Sequence, residues 1–179
     1  MRAPRGGQEI SVASLSEVTG VSSITIRRAS PTWRRPACSA AQLVADDESV
    51  IVDNGTTRYA VALRLAGRPL TTLALSLHAA AALAAVPGCE VVVPGGTVET
   101  DSLACTGTQV LETIRSMHVD VTVLGACLAS PLTGLTSTSL KDARVKRAAI
   151  DAATRRRVLV VSADKLTRTS SFRLGSRTS

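Results

Sequence analysis

The chain has 179 residues, of which 45% are hydrophobic and only 2% aromatic, and its formal net charge is +7. This length accommodates one ordinary domain with a small additional piece, and the hydrophobic content excludes an intrinsically disordered chain. No apolar run reaches the ~18 residues of a membrane-spanning helix, and the start, "MRAPRGGQEI", lacks the hydrophobic region of a signal peptide. We therefore expect a soluble cytoplasmic protein without a membrane partner.

The charge is divided into three blocks along the chain. Residues 1–45 hold six Arg and two Glu, residues 46–140 hold four Arg and nine acids, and residues 141–179 hold eleven Lys or Arg and three Asp. A basic start, an acidic middle and a basic end indicate separate roles, one of them with a polyanion. For the last block, a solvated helix face followed by a frayed end explains the charge equally well.

The first predicted elements are two short helices within residues 1–33. Three apolar residues of "SVASLSEVTG" lie at helical spacing, and Gly20 is a helix stop. A serine then caps a second helix, "SSITIRR". Two helices joined by a glycine-containing turn outline a helix-turn-helix motif, whose second helix enters the major groove of DNA. The candidate DNA-binding residues are Ser22, Ser23, Thr25, Arg27 and Arg28.

Residues 34–48 are predicted to be a linker and the first helix of a second domain, which covers residues 49–175 and precedes a short tail, 176–179. The predicted strands are the runs "SVIVD", "LTTLALS", "CEVVVPGG", "VDVTVLGA" and "RVLVVSA". The predicted helices between and after them are Thr56–Ala66, Leu77–Ala85, Thr106–Met117 and Ser139–Thr154. Continuous apolar strands indicate burial on both faces, and their alternation with helices indicates βαβ units. The sequence therefore predicts an α/β domain with a parallel sheet.

The loops that follow these strands are candidate binding positions, because open parallel sheets bind ligands beyond the carboxyl ends of their strands. In "DNGTT", Asp53 ends a strand, Gly55 permits a tight turn, and Thr56 and Thr57 begin a helix. Amides and hydroxyls at the start of a helix suit a phosphate group. An ordinary strand-to-helix turn capped by threonine has the same pattern.

The four cysteines and two histidines lie far apart and do not have the spacing of metal ligands. We interpret the cysteines as free thiols in a reducing compartment. The sequence indicates neither a metal nor a cofactor.

The stretch "ISVASLSEVTGVSSITIRRAS" resembles the N-terminal helix-turn-helix of the DeoR family of bacterial transcription regulators. The family's V-S-x-x-T-I-R-R run is matched by Val21, Ser22, Thr25, Ile26, Arg27 and Arg28. Ala29 and Ser30 stand where the family has Asp-Leu, and "PTWRRPACSA" stands where a longer wing is usual. The resemblance implies double-stranded operator DNA as a partner. Because such regulators read two half-sites, it also implies a homo-oligomer.

Most of residues 38–175 resembles the sensor domain of the same family, which is similar in fold to ribose-phosphate isomerases and glucosamine-phosphate deaminases. The matching motifs are "VIVDNGTTRYAVAL", "VVVPGGTV", "VTVLGA", "TGLT", "ARVKRAAI" and "SADKL". The resemblance implies a regulator of carbohydrate metabolism, a repressor, that responds to a phosphorylated sugar effector. It implies that the effector-binding residues are Asp53, Gly55, Thr56, Thr57, Ser76, Gly95, Gly96, Gly125, Lys146 and Lys165.

Two alternative functions remain open at this point. A sugar-phosphate isomerase or deaminase needs a positioned acid or base, which the isomerase-like enzymes carry after the fourth strand. The run "GACLA" there has none, and Asp120 lies at the wrong end of that strand, so we expect no catalytic residues. The other alternative is a truncated sensor domain that does not bind DNA, indicated by the missing first helix, the lost wing and the abrupt C-terminus.

Overall fold

The fold is built around one parallel β-sheet. The computed structural model describes residues 23–27, 34–130, 133–162, 165–166 and 169–174. The strands are β1 Ser23–Arg27, β2 Ser49–Val52, β3 Leu70–Ala74, β4 Cys89–Val92, β5 Thr97–Val98, β6 Cys105–Thr106, β7 Val119–Leu124, β8 Leu128–Ser130, β9 Gly134–Ser137, β10 Ala153–Ser162 and β11 Phe172–Arg173. Six of them form the main sheet in the order β1-β10-β7-β2-β3-β4, and each neighbouring pair is parallel. The predicted parallel α/β domain is confirmed.

Helices cover both faces of this sheet. Those in the described part of the chain are α1 Arg34–Gln42, α2 Thr56–Leu65, α3 Leu77–Ala84, α4 Thr108–Ser116 and α5 Leu140–Ala152. The first three share one apolar cluster with the sheet, and α4 and α5 share the other. The last four helices start and end within two residues of their predicted bounds, and α1 lies where a first helix was predicted.

Alternation along each strand divides the core between the two faces. In β2, Val50 and Val52 belong to the cluster under α1, α2 and α3, whereas Ile51 belongs to the cluster under α4 and α5. All three side chains are 0% exposed. Because successive strand residues point to opposite faces, a strand covered on both sides has to be apolar throughout. This burial explains the continuous aliphatic runs.

Two small antiparallel sheets lie among the connections that follow the main strands. One pairs β5 with β6, and the other has the order β11-β9-β8. These elements were not predicted from the sequence. Their strands have two to four residues, which is too short for an alternating pattern to be recognised against a loop.

The segment predicted to be a DNA-recognition helix is a strand in this structure, so the helix prediction is wrong. Residues Ser23–Arg27 form β1, which pairs in parallel with Val158–Ser162 of β10. Two physical factors favour the strand. Ile24, Thr25 and Ile26 are β-branched and lose side-chain freedom in a helix, and β10 offers backbone groups along an edge that would otherwise have no partner. The predicted first helix, the turn at Gly20, Ser22, Arg28 and the tail 176–179 lie outside the described residues.

The pairing of β1 with β10 can be tested by hydrogen–deuterium exchange. In a parallel pair, alternate amides of an edge strand donate to the neighbouring strand. We therefore expect a peptide covering residues 23–27 to retain amides that exchange at least ~10-fold more slowly than an unstructured chain. Mass spectrometry on a digest measures this, with the central strand β2 as the internal reference. Exchange of the 23–27 peptide at unstructured rates, while β2 stays protected, would contradict the pairing.

Candidate functional site

The candidate site lies where the adjacent strands β2 and β7 end. Asp53 follows β2 directly, and its backbone N–H donates to the Val123 carbonyl at 3.0 Å. Its carboxylate Oδ2 accepts a hydrogen bond from the Gly125 N–H at 2.8 Å. Asp53 is only 2% exposed. These two bonds join the loops after β2 and β7 into one rigid unit.

Lys146 of α5 places a buried positive charge beneath these loops. Its side chain is 4% exposed, and Nζ lies 3.4 Å from Oδ2 of Asp53. The ammonium also pairs with Asp142, one helical turn earlier, and donates to Oδ1 of Asn54 at 3.3 Å. Burial by itself would lower the pKa of Lys146, but Asp53 and Asp142 together outweigh burial, so the pKa is raised and the lysine is charged.

Asp142 in turn fixes the small antiparallel sheet to the site. Its Oδ2 accepts a hydrogen bond from the Ser137 hydroxyl at 2.7 Å, and Ser137 ends β9. A lysine surrounded by two carboxylates and an amide oxygen is a satisfied buried group, which is the condition under which a charge is tolerated in a core. The network therefore ties β2, β7, β9 and α5 together at one end of the sheet.

The start of α2 faces the same loops. Gly55 is its N-cap residue with φ 106°, and no side chain caps the helix. Gly55 and Thr56 are exposed, whereas Thr57 is buried. A positive φ of this size favours glycine over residues with a Cβ. The first amides of α2 thus lie at the positive end of the helix dipole without a side-chain acceptor.

Arg58 lies above the two glycines of these loops. Its Nε donates to the Asn54 carbonyl at 2.8 Å. A Cβ added at either Gly55 or Gly125 would collide with its guanidinium group, so the group contacts both loops. Arg58 is half-buried. Its positive charge is also close enough to Lys146 to lower the pKa of that lysine, an effect that the two carboxylates outweigh.

The other residues predicted to bind an effector lie around this centre with different contacts. Ser76 is buried, and its hydroxyl accepts a hydrogen bond from the Ala79 N–H at 3.3 Å, so it caps α3. Gly96 lies against the carbonyl of Thr106 with φ +108°, next to the start of α4. The ammonium of Lys165 lies 3.5 Å from the Ala126 carbonyl, in the loop that begins at Gly125.

The structure therefore brings together six of the predicted effector residues: Asp53, Gly55, Thr56, Thr57, Gly125 and Lys146. Lys165 borders this group, but no hydrogen bond of the described residues connects Ser76, Gly95 or Gly96 to it. Among the candidate DNA-binding residues, Ser23, Thr25 and Arg27 belong to β1.

Three residues of the site were not predicted: Asn54, Arg58 and Asp142. Asn54 and Arg58 flank the "GTT" run, and Asp142 precedes Lys146 by four residues on a predicted helix. Such an (i, i+4) acid–lysine spacing is a sequence signal for an ion pair. Nothing in the sequence indicates that the Arg58 side chain folds back over Gly55.

Two other features that could bind a ligand or act in catalysis, Asp120 and a surface groove, lie away from these loops. Asp120 accepts hydrogen bonds from the backbone N–H and hydroxyl of Ser49, each at 2.9 Å, so it lies at the opposite end of the sheet, as expected. A groove of about 560 Å³ between α4 and α5, which includes Arg115 and Arg144, is lined by none of the loop residues. Within the described residues, no group of three or more His, Cys, Asp or Glu could hold a metal ion, and no helix is long and apolar enough to cross a membrane.

The buried network leads to a stability prediction for Lys146→Met. Removing the ammonium leaves Asp53 and Asp142 without their buried cation, so we expect a loss of roughly 3–5 kcal/mol in the free energy of unfolding. Because the pKa of Lys146 is raised, its stabilisation is complete below the unfolded value of about 10.4 and is lost only as the pH rises through the folded value. Urea unfolding at pH 7 therefore measures the full effect. Lys141→Met, at an exposed position of the same helix, is the control, and equal losses in the two variants would contradict the network.

The chain is similar in sequence to known proteins. Residues 34–178 match the family described as the DeoR C terminal sensor domain. The HTH-type transcriptional repressor GlcR of Bacillus subtilis (strain 168) is 33% identical over 114 residues, which cover 64% of this chain and 44% of GlcR. The HTH-type transcriptional regulator GolR of Listeria innocua serovar 6a is 30% identical over 112 residues, which cover 62% of this chain and 44% of GolR.

The chain thus spans less than half the length of each of these two relatives. Their names indicate transcriptional regulators rather than enzymes, which disfavours the isomerase alternative. The family match covers most of the chain and all of the strand-end loops described above. The chain belongs to the DeoR family of transcriptional regulators, and residues 34–178 match its C-terminal sensor domain.

Proposed function

We propose that this chain acts in the cytoplasm as a transcriptional regulator, a repressor of carbohydrate metabolism genes, whose sensor domain binds a phosphorylated sugar. The observation that carries the proposal is the uncapped start of α2 beside the buried network of Asp53, Lys146 and Asp142. In a family of regulators, a site of this kind is suited to an effector. The partners of the working protein would be operator DNA and a second copy of the chain.

The phosphate would bind at the start of α2. The N–H groups of Thr56 and Thr57 precede the first intrahelical hydrogen bonds, and the exposed hydroxyl of Thr56 lies beside them. A helix start supplies both hydrogen-bond donors and a positive potential to an anion. Gly55 adds no side chain of its own to this loop, and the guanidinium of Arg58 lies over it.

The sugar would extend from the phosphate towards the neighbouring strand ends. Gly95, Gly96, Gly125 and Lys165 lie in loops that follow β4, β7 and β10, at the same end of the sheet. Neighbouring parallel strands are about 4.8 Å apart, so the loop after β7 lies next to the start of α2, and the loops after β4 and β10 lie two strands, roughly 10 Å, away on either side. Ser76 would contribute indirectly, by fixing the start of α3.

Introducing an acid at the start of α2 tests the phosphate site. Thr56→Asp adds a negative charge where the phosphate would bind, and we expect the affinity for the sugar phosphate to fall at least ~10-fold. An acid in the first turn also favours the helix, so the thermal midpoint should not fall. Titration calorimetry with glucose 6-phosphate, ribose 5-phosphate and glucosamine 6-phosphate measures the affinity.

Thr108→Asp is the matched control for this experiment. Thr108 is also the exposed first residue of a helix, α4, that follows a glycine N-cap and has no side-chain cap. We expect this variant to change the affinity less than ~3-fold. A larger loss for Thr108→Asp than for Thr56→Asp would place the phosphate at α4 and contradict the proposed position.

DNA binding by this chain would require residues 23–27 to leave the sheet. The candidates Ser22, Ser23, Thr25, Arg27 and Arg28 would contact base edges or phosphates from a helix, and a strand paired to β10 cannot enter the major groove in that form. The effector would then act by changing the balance between the two conformations, a coupling of ~1–3 kcal/mol in typical allosteric proteins. The pairing of β1 with β10 also supports the second candidate function, a sensor domain that does not bind DNA.

Fluorescence anisotropy distinguishes these two functions. The purified chain is titrated against labelled DNA from its own upstream region and against a scrambled duplex, over a salt series. For a working regulator we expect preference for the native fragment, and at least ~10-fold weaker binding by the Arg27→Gln/Arg28→Gln variant. Arg64→Gln/Arg115→Gln, at two exposed helical positions, is the control of equal charge. Equal affinity for both duplexes, unchanged in the first variant, would indicate the sensor-only alternative.

A further inference from the structure

We propose that Arg58 determines the specificity of the sensor site, because its guanidinium group is the cation that pairs with the phosphate of the effector. This inference rests on the proposed function, since it assigns a role within the same site. The resemblance pointed instead to Lys146 and Lys165 as the basic residues of the site. The contacts of Lys146 favour Arg58 over that lysine, and Arg58 lies against Gly55 at the start of α2, whereas the described hydrogen bond of Lys165 is to the Ala126 carbonyl.

Lys146 is already engaged by protein groups. Its ammonium donates hydrogen bonds to Asn54 and Asp142, and it forms an ion pair with Asp53, whose Oδ2 lies 3.4 Å away. Its side chain is also 4% exposed. The charge of Lys146 therefore neutralises the carboxylates that hold the loops together, and its role is to position the site.

Arg58 has donors available. A guanidinium group has five N–H donors, and among the described residues Arg58 makes one hydrogen bond, from Nε to the Asn54 carbonyl. It takes part in none of the ion pairs of the described residues. The two terminal nitrogens thus present up to four N–H groups, in the planar arrangement that matches two oxygens of a phosphate.

The position of this group fits a ligand held at the start of α2. The guanidinium contacts both Gly55 and Gly125, so it lies between the loops after β2 and β7. The hydrogen bond from Nε to the Asn54 carbonyl fixes the orientation of the guanidinium group. A phosphate on the first amides of α2 would meet the terminal nitrogens of Arg58 with little movement of the side chain.

The electrostatic environment also favours an anion at this point. Arg58 lies in the first turn of α2, where a cation is opposed by the positive end of the helix dipole. It also lies near the ammonium of Lys146, and the repulsion between the two cations by itself lowers the pKa of that lysine. A doubly charged phosphate monoester placed between these groups would relieve both repulsions, whereas a neutral sugar would relieve neither.

The test compares four variants with the wild-type chain by titration calorimetry. The probes are inorganic phosphate, glucose 6-phosphate, ribose 5-phosphate, glucosamine 6-phosphate and unphosphorylated glucose. Arg58→Gln removes the cation, and Arg58→Lys keeps the charge but not the planar group. Lys165→Met removes the lysine that borders these loops beside Ala126. Arg64→Gln, exposed on the last turn of the same helix as Arg58, is the control of equal charge.

We expect Arg58→Gln to weaken binding of the sugar phosphate about 10- to 100-fold, Arg58→Lys to lose less, and Arg64→Gln to stay within ~2-fold of wild type. Wild type should also bind more tightly as the pH rises through the second ionisation of the phosphate near ~6, and Arg58→Gln should reduce this pH dependence. A residue with a merely structural role would not alter this pH profile. Thermal midpoints without ligand check that each variant is folded.

Two results would overturn the inference, and they are distinguishable. In the first, wild type binds a sugar phosphate, but Arg58→Gln binds it as tightly as Arg64→Gln does, or Lys165→Met alone loses affinity. Arg58 is then not the phosphate partner, and the proposed function stands. If wild type binds none of the phosphorylated probes, the proposed function and the inference fail together.

Discussion

The ion pairs of the buried Lys146 ammonium with Asp53 and Asp142 hold the functional end of the molecule together. One nitrogen connects the loop after β2 to helix α5, and Asp53 extends the connection to β7 through the Gly125 N–H. A buried charge costs several kcal/mol unless it is paired and hydrogen-bonded, so the surrounding groups have to occupy these positions. The start of α2 and the Arg58 side chain are held in place by this network. The chemistry of the site therefore depends on a buried lysine whose charge is taken up by the protein's own carboxylates.

Much of the α/β domain could be predicted from local sequence patterns. The strands could be recognised as aliphatic runs because strands covered on both faces are apolar throughout. Apolar residues at the 3.6-residue helical repeat indicated the helices, among them Thr56–Ala66 and Ser139–Thr154. The pairing of Lys146 with Asp53 could not be derived in this way, because the two residues are far apart in sequence and meet only through the order of the strands. The position of Arg58 depends on a side-chain conformation, and sequence periodicity carries no information about it.

Strand β1 shows how a tertiary interaction can override a local motif. The run "SSITIRR" fits a capped helix, and it resembles the recognition helix of a family to whose sensor domain the rest of the chain belongs. Its β-branched residues also fit a strand, and β10 supplies an edge with which five residues can pair. Helices this short depend on packing for their stability. Here the edge of the sheet at β10 provides the stabilising contacts, and residues 23–27 form a strand.

Binding of a phosphate group between the start of α2 and the Arg58 guanidinium can be tested by nuclear magnetic resonance. Spectra of the backbone amides and arginine Nε–H groups would be recorded while a sugar phosphate that binds the chain is added. We expect the largest shifts at the amides of Thr56, Thr57 and Gly125 and at Nε of Arg58, with the α4–α5 groove unaffected. Shifts confined to that groove, or shifts that are equal for the unphosphorylated sugar, would contradict it.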